Sequence, residues 1–244
     1  MTWCLVGSEM CIRDRRWHLD MEELLAKLTH KTKALLINSP NNPTGWVCSV
    51  EEQKIILDHC RKQGIWIVAD DVYARLYQHG SLAPGFQHLA NADDLLISIN
   101  SFSKAWSMTG WRLGWITAPA ALEKTFAHLT EFNIACPAGF IQEAGLAMIE
   151  QGEAEVSLLQ HKLRKALTLT RTRLKHFEDI SFIEPDGAFY CFFSVRGLTD
   201  SLAFAHALLE QTKVGLAPGL AFGPAGGGSV SYTHLTLPTR YRVG

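Results

Sequence analysis

Short apolar runs alternate with amphipathic stretches along most of this chain. Four runs stand out: Lys33-Ala-Leu-Leu-Ile-Asn38, Ile65-Trp-Ile-Val-Ala69, Leu95-Leu-Ile-Ser-Ile-Asn100 and Leu113-Gly-Trp-Ile-Thr-Ala118. Each is brief and β-rich, and each reads as a strand. Between the first two, Val50, Ile55, Ile56 and Cys60 recur at helical spacing. That pattern predicts a helix over 50–63, and Gly64 supplies its stop. Further helices are predicted near 120–132, 138–151, 153–177 and 200–212. Strands are predicted near 180–183 and 189–194, with a short one at 214–216. The link at 101–112 is too short for a helical crossover. Strands 95–100 and 113–118 are therefore expected to be antiparallel neighbours in an otherwise parallel sheet. Residues 16–150 read as part of a large α/β domain, and residues 151–228 as part of a smaller α+β domain. No internal repeat or low-complexity tract interrupts this order.

Composition mainly excludes. A chain of 244 residues, 47% hydrophobic and 19% charged, can bury one large core or two modest ones. Its net charge of −1 gives no electrostatic case for nucleic acid or an acidic membrane. No apolar run approaches the roughly 18–20 residues of a spanning helix. The start, Met1-Thr-Trp-Cys-Leu-Val-Gly-Ser8, lacks the basic leader of a signal peptide. Six cysteines without a Cys-x-x-Cys pair are expected to be reduced, buried thiols in a cytoplasmic protein. The ten histidines include no His-Glu-x-x-His, so no metal site is expected. There is no Walker loop and no Gly-x-Gly-x-x-Gly after a strand, and Gly223-Pro-Ala-Gly-Gly-Gly228 reads as a loop.

The two ends differ from the rest. Residues 4–15 and 230–239 resemble peptides obtained by translating sequencing-adapter DNA. On that reading residues 1–15 and 229–244 are set aside as non-native tails, and the segment between them is an internal piece of a longer protein.

Candidate chemistry concentrates at three strand ends. In Ser101-Phe-Ser-Lys-Ala-Trp-Ser-Met-Thr-Gly-Trp-Arg-Leu-Gly-Trp115, Lys104 has Ser101 three residues before it and Arg112 eight after. An amine flanked by hydroxyls and a fixed cation suits an aldehyde cofactor that carries a phosphate. The lysine can form a Schiff base, while the serines and the bidentate arginine hold the dianion. Asp70 ends the run 65–69 and lies three residues before Tyr73. A carboxylate there can keep a pyridine nitrogen protonated, and Asp70 suits this better than Asp71 because it directly ends the run. Tyr73 and Asn42 can supply a phenol and an amide near a ring hydroxyl. Taken singly, each motif has a structural reading. Ser39-Pro-Asn-Asn-Pro-Thr-Gly45 is turn chemistry, and Asp70 is a plausible N-cap for a helix-like stretch. Strand carboxyl ends in open α/β sheets share one crevice, so the three segments can converge.

In order and spacing, from about Trp17 to Gly228, these motifs resemble the class I aminotransferases. The resemblance implies the fold-type-I architecture of pyridoxal-phosphate enzymes, with a mostly parallel mixed sheet. It implies that Lys104 carries pyridoxal 5'-phosphate and shuttles the proton. Asp70 would pair with the ring nitrogen, Tyr73 and Asn42 would contact the ring hydroxyl, and Ser101, Ser103 and Arg112 would hold the phosphate. The Asn42–Pro43 peptide is expected to be cis. Less specific matches at Glu131-Phe-Asn133, Gly187-Ala-Phe-Tyr190 and Val214-Gly-Leu-Ala-Pro-Gly219 read as scaffold and turns.

The implied activity is amino transfer between an α-amino acid and a 2-oxo acid, in a homodimer. Alternatives on the same scaffold are a C–S lyase, a racemase or the effector domain of a transcription regulator. The resemblance also implies an earlier portion with a ring-stacking aromatic and a second phosphate loop, and a later arginine that clamps the substrate carboxylate. Neither Arg240 nor Arg242 matches that position, so none is assigned. The chain by itself is expected to have little transferase activity.

Overall fold

The computed structural model describes residues 16–233 and the backbone of residues 10–13. A hairpin of β1 (Met10–Arg13) and β2 (Arg16–Leu19) precedes helix α1 (Met21–Lys27), where the Asp20 side chain accepts from the Glu23 N–H as the N-cap. Strand β3 (Ala34–Asn38) then leads through the Ser39–Gly45 loop into α2 (Val50–Gln63). Here the polar pattern sets the bounds. Ser49 and Glu52 form a reciprocal capping box, and Gly64 ends the helix at φ 64°.

Strand β4 (Trp66–Asp70), strand β5 (Leu96–Ser101), the short helix α3 (Phe102–Ala105) and strand β6 (Gly114–Thr117) follow. They build a sheet in the order β3-β4-β5-β6, parallel except for the antiparallel β5–β6 pair, as the short 101–112 link requires. Register aligns the strand ends: Asn38 lies opposite Asp70, and Asp70 opposite Ile99. The core beneath the sheet joins Ile37, Ile67, Ala69 and Leu96 to Ile56, Leu57 and Cys60 of α2. Fully burying such side chains stabilises by roughly 1.5–3 kcal/mol each.

Helices α4 (Glu123–Ile134), α5 (Gly139–Gln151) and α6 (Glu153–Leu174) come next. Phe132 on α4 and Phe140 on α5 are 89% and 71% exposed. The expected boundary at 150/151 falls in the last turn of α5. Strands β7 (Ile180–Phe182) and β8 (Tyr190–Val195), helix α7 (Ser201–Thr212), and strands β9 (Ala217–Pro218) and β10 (Ser229–Thr233) complete the chain. They form a second, antiparallel sheet in the order β7-β8-β10-β9. One buried cluster spans both parts, uniting Tyr73, Leu76 and Ala105 with Val156, Leu163 and Phe189. The fold is α/β.

Several expectations are corrected. The short strand expected at 214–216 lies at Ala217–Pro218, because Lys213 takes a left-handed turn after α7 and the chain re-enters the sheet later. Helix 153–177 ends at Leu174, and the link at 101–112 contains α3. No helix follows Asp70; its carboxylate accepts a hydrogen bond from the Val72 N–H within a turn. Residues 229–233, placed in a tail by the sequence reading, form the strand between β8 and β9, with Val230 fully buried. Residues 1–9, 14–15 and 234–244 of the expected tails lie outside the described residues. Of the described cysteines, Cys48, Cys60 and Cys191 are buried, but Cys136 is exposed, at the bend between α4 and α5. No described helix is long and apolar enough to cross a membrane.

Candidate active site

The first wall of the site is the loop after β3. The Asn38 side chain donates to the Asp70 carbonyl at 3.1 Å and accepts from the Asn42 N–H at 2.7 Å. Asn41 accepts from the Thr44 hydroxyl at 2.8 Å. The Asn42–Pro43 peptide is cis, as expected, and so is Ser39–Pro40. Gly45 has φ +71°, and its carbonyl accepts from the N–H groups of Asp186 and Gly187 at 3.0 Å each. These bonds tie the loop to the segment that precedes β8.

The end of β4 supplies the carboxylates, and they face different partners. Asp71 is buried and accepts from the Ser98 hydroxyl. Burial pushes its carboxyl up to about 6, against the pull of Ser98. Asp70 is half-buried; burial raises it as well, while the Val72 N–H and the Lys104 charge lower it. Between the two neighbours, Asp70 is the one that senses Lys104.

Tyr73, buried, follows in the same turn. Its phenol is hydrogen-bonded to the phenol of Tyr190, and the Asn42 amide lies against it. Lys104 projects from α3, whose N-cap is Ser101. Its ammonium nitrogen lies 5.7 Å from the Tyr73 ring centre and 5.8 Å from that of Phe189. Burial lowers the Lys104 pKa, Arg112 lowers it further, and Asp70 opposes both. A lysine so placed gives up its proton more readily than one on the surface.

Ser101, Ser103 and Arg112 form the adjoining group. The Ser101 hydroxyl accepts from the Ser103 N–H at 3.0 Å and donates to the Leu113 carbonyl at 3.3 Å. Arg112, at φ 54°, donates to the Ser103 hydroxyl at 3.4 Å and to the Thr109 carbonyl at 3.1 Å. All seven residues singled out in the sequence therefore lie in two touching groups: Asn42, Asp70, Tyr73 and Lys104, then Ser101, Ser103 and Arg112.

The sequence reading missed two residues of the site. Phe189 and Tyr190, taken as scaffold, pack edge-on against Tyr73, each with ring centres 5.6 Å away. Their one sequence signal is an aromatic pair at the start of a strand, which does not say what it touches. The residue set also passes a test of fit to a pyridoxal phosphate. The buried Asn42 Oδ1 has no protein partner among the described residues, so one end of that amide is free for a ligand. An amine, a carboxylate, a phenol and a hydroxyl–guanidinium pair match the aldehyde, ring nitrogen, ring hydroxyl and phosphate. Among the described residues no cluster of three or more His, Cys, Asp or Glu could hold a metal ion.

Comparison with known proteins gives a consistent result. A profile of the family "Aminotransferase class I and II" matches residues 8–238. The chain is 34% identical over 224 residues to a putative aminotransferase, YugH, of Bacillus subtilis, covering 91% of this chain and 58% of that protein. It is 30% identical over 227 residues to a probable aspartate/prephenate aminotransferase of Aquifex aeolicus, covering 90% and 58%. Among solved structures, it superposes on the aspartate aminotransferase of Thermotoga maritima with a TM-score of 0.80 and 34% identity, covering 88% of this chain and 55% of that one. The chain thus spans little more than half the length of these relatives.

Proposed function

We propose, for a chain that belongs to the aminotransferase class I and II family, that the protein transfers an amino group between an α-amino acid and a 2-oxo acid. Its cofactor is pyridoxal phosphate, on which this fold-type-I family depends. The observation that carries the reading is the meeting of Lys104, Asp70, Tyr73 and Asn42 from three separate strand ends. The relatives named as aspartate and aromatic-amino-acid aminotransferases support transfer over lyase or racemase chemistry.

When bound, the cofactor supplies an aldehyde for Schiff-base formation and a protonated ring that draws electrons from the substrate Cα. The protein's residues do the rest. Lys104 holds the cofactor and then, as a free amine, moves the proton at the substrate Cα; burial and Arg112 lower its pKa, which favours the free amine. The Asp70 carboxylate pairs with the ring nitrogen, and that positive partner keeps the carboxylate ionised against its burial. Tyr73 and Asn42 hold the ring hydroxyl. Ser101, Ser103 and Arg112 hold the phosphate, with Arg112 supplying the fixed charge.

The proposal extends to a homodimer, for which the exposed apolar residues of α4 and α5 offer surface, and to the cytoplasm, which suits the unpaired thiols. It also keeps the division into parts of two domains near residue 150, which the separate sheets support, with the second part running on from 228 through β10.

Borohydride reduction of the protein mixed with pyridoxal phosphate, followed by peptide mapping, tests the site. The pyridoxyl label is expected on the peptide containing Lys104 and is lost in Lys104→Ala. A label on another lysine refutes the assignment. Amino transfer from several amino acids to 2-oxoglutarate, by the whole protein that carries this chain, tests the activity.

A further inference from the structure

Tyr73, in the turn after β4, and Tyr190, at the start of β8, are 117 residues apart in sequence, yet their hydroxyl groups share one hydrogen bond. A phenol has a single proton and can accept as well as donate. If Tyr73 spends its proton on Tyr190, it has none for a cofactor. If Tyr190 donates instead, the Tyr73 proton is free and the Tyr73 oxygen is polarised by an incoming bond. Resting on the function proposed above, we infer that Tyr190 is a positioning residue. It donates to the Tyr73 oxygen, so that Tyr73 presents its own proton to the oxygen on the cofactor ring.

Either phenol can donate across this pair, and the structure supplies what the inferred arrangement needs. Burial, first among the causes, raises both phenols above their ordinary value, so each keeps its proton at neutral pH and the pair has two protons to arrange. Tyr190 is also placed without the help of its hydroxyl. The Ala188 N–H donates to the Leu76 carbonyl at 2.9 Å, and the Gln78 N–H to the Asp186 carbonyl at 2.9 Å. Tyr77 and Gly187 form a bridge between the same two segments. Gly187 lies so close to the Asn42 loop that a Cβ there would meet the Pro40 Cβ at 2.6 Å. The backbone thus delivers the Tyr190 ring to Tyr73, and the ring packs edge-on at 5.6 Å. What the hydroxyl adds is the hydrogen bond itself. Hydrogen bonds in a chain strengthen one another, so a donor behind Tyr73 makes its O–H a better donor in front.

The sign of the effect follows. A stronger donor to the ring oxygen favours the form in which that oxygen carries most negative charge, which is the high-pH form of the lysine-bound cofactor. Removing the Tyr190 hydroxyl therefore raises the pH midpoint of the cofactor's visible absorption band.

The experiment titrates that band in the full chain loaded with pyridoxal phosphate, for the wild type, Tyr190→Phe, Tyr73→Phe and the double variant. Tyr190→Phe should raise the midpoint by about 0.5 pH unit, the size expected when one hydrogen bond is weakened but kept. Tyr73→Phe should raise it more. Adding Tyr190→Phe to Tyr73→Phe should change nothing further, because Tyr190 acts through Tyr73. An unmoved midpoint in Tyr190→Phe, or an equal shift in the Tyr73→Phe background, overturns the inference while leaving the cofactor reading intact. A folded wild-type chain that develops no visible band overturns the cofactor reading, and this inference with it.

Discussion

Gly45 ties the Asn42 loop to the approach of β8, and substituting it by alanine tests whether that tie holds the site together. Two costs are separable. Gly45 sits at φ +71°, where an L side chain costs roughly 1–2 kcal/mol. A Cβ would also lie 2.1 Å from the Pro185 Cβ, 2.9 Å from the Pro185 Cα and 2.9 Å from the Gly187 carbonyl oxygen. Two of these are backbone atoms, so no rotamer change relieves the clash. The segment must move, which strains the two bonds to the Gly45 carbonyl. Overpacking of this kind adds about 1–3 kcal/mol. The total expected for Gly45→Ala is about 2–5 kcal/mol. Gly64 is the internal control: its φ is +64° but nothing lies within 4 Å of the added Cβ. Gly64→Ala should therefore cost only the backbone share, about 1–2 kcal/mol. Urea unfolding at constant pH measures both, with the midpoint shift converted through a common slope. Gly45→Ala should also lower borohydride labelling of Lys104, because Asn42 lies in the displaced loop. Equal costs at the two glycines, with labelling unchanged, would refute the reasoning.

Asp70→Asn should leave the unfolding free energy within about 1 kcal/mol of wild type, since it relieves a buried charge, yet cut amino transfer in the whole protein by about 100-fold or more. A mild Asp70→Asn beside a crippling Asp71→Asn would show that the roles of the two neighbours are reversed. Asp71 carries a pH prediction of its own. Burial raises its carboxyl from 3.8 to about 6, so the folded protein holds a proton that the unfolded chain has already released. Stability from this group is thus present at low pH and lost as the pH rises through about 6. Between pH 4 and 7 the stability of Asp71→Asn relative to wild type should improve, by up to about 3 kcal/mol. Parallel pH profiles for the two proteins would contradict this.

What the sequence determined on its own is what local chemistry decides. The helix at 50–63 has its start written in Ser49 and Glu52 and its end in Gly64. The strands ending at Asn38 and Asp70 are legible because unbroken apolar runs stop at turn-forming polar residues. The antiparallel turn-back after Ser101 follows from the length of its link. Asn42, Asp70, Tyr73, Lys104 and Arg112 stood out because each closes or follows such an element. The rest depends on distance in space rather than in sequence. Whether Asp70 or Asp71 faces Lys104 depends on which of them Ser98, on the neighbouring strand, takes as its partner. Strand β9 falls at 217–218, and residues 229–233 form an interior strand, because β8 and β10 pair across more than thirty residues. Tyr190 reaches Tyr73 only because the turn after β4 and the approach to β8 meet over the cluster they share with α3 and α6, and no local pattern encodes a contact between segments so far apart in sequence.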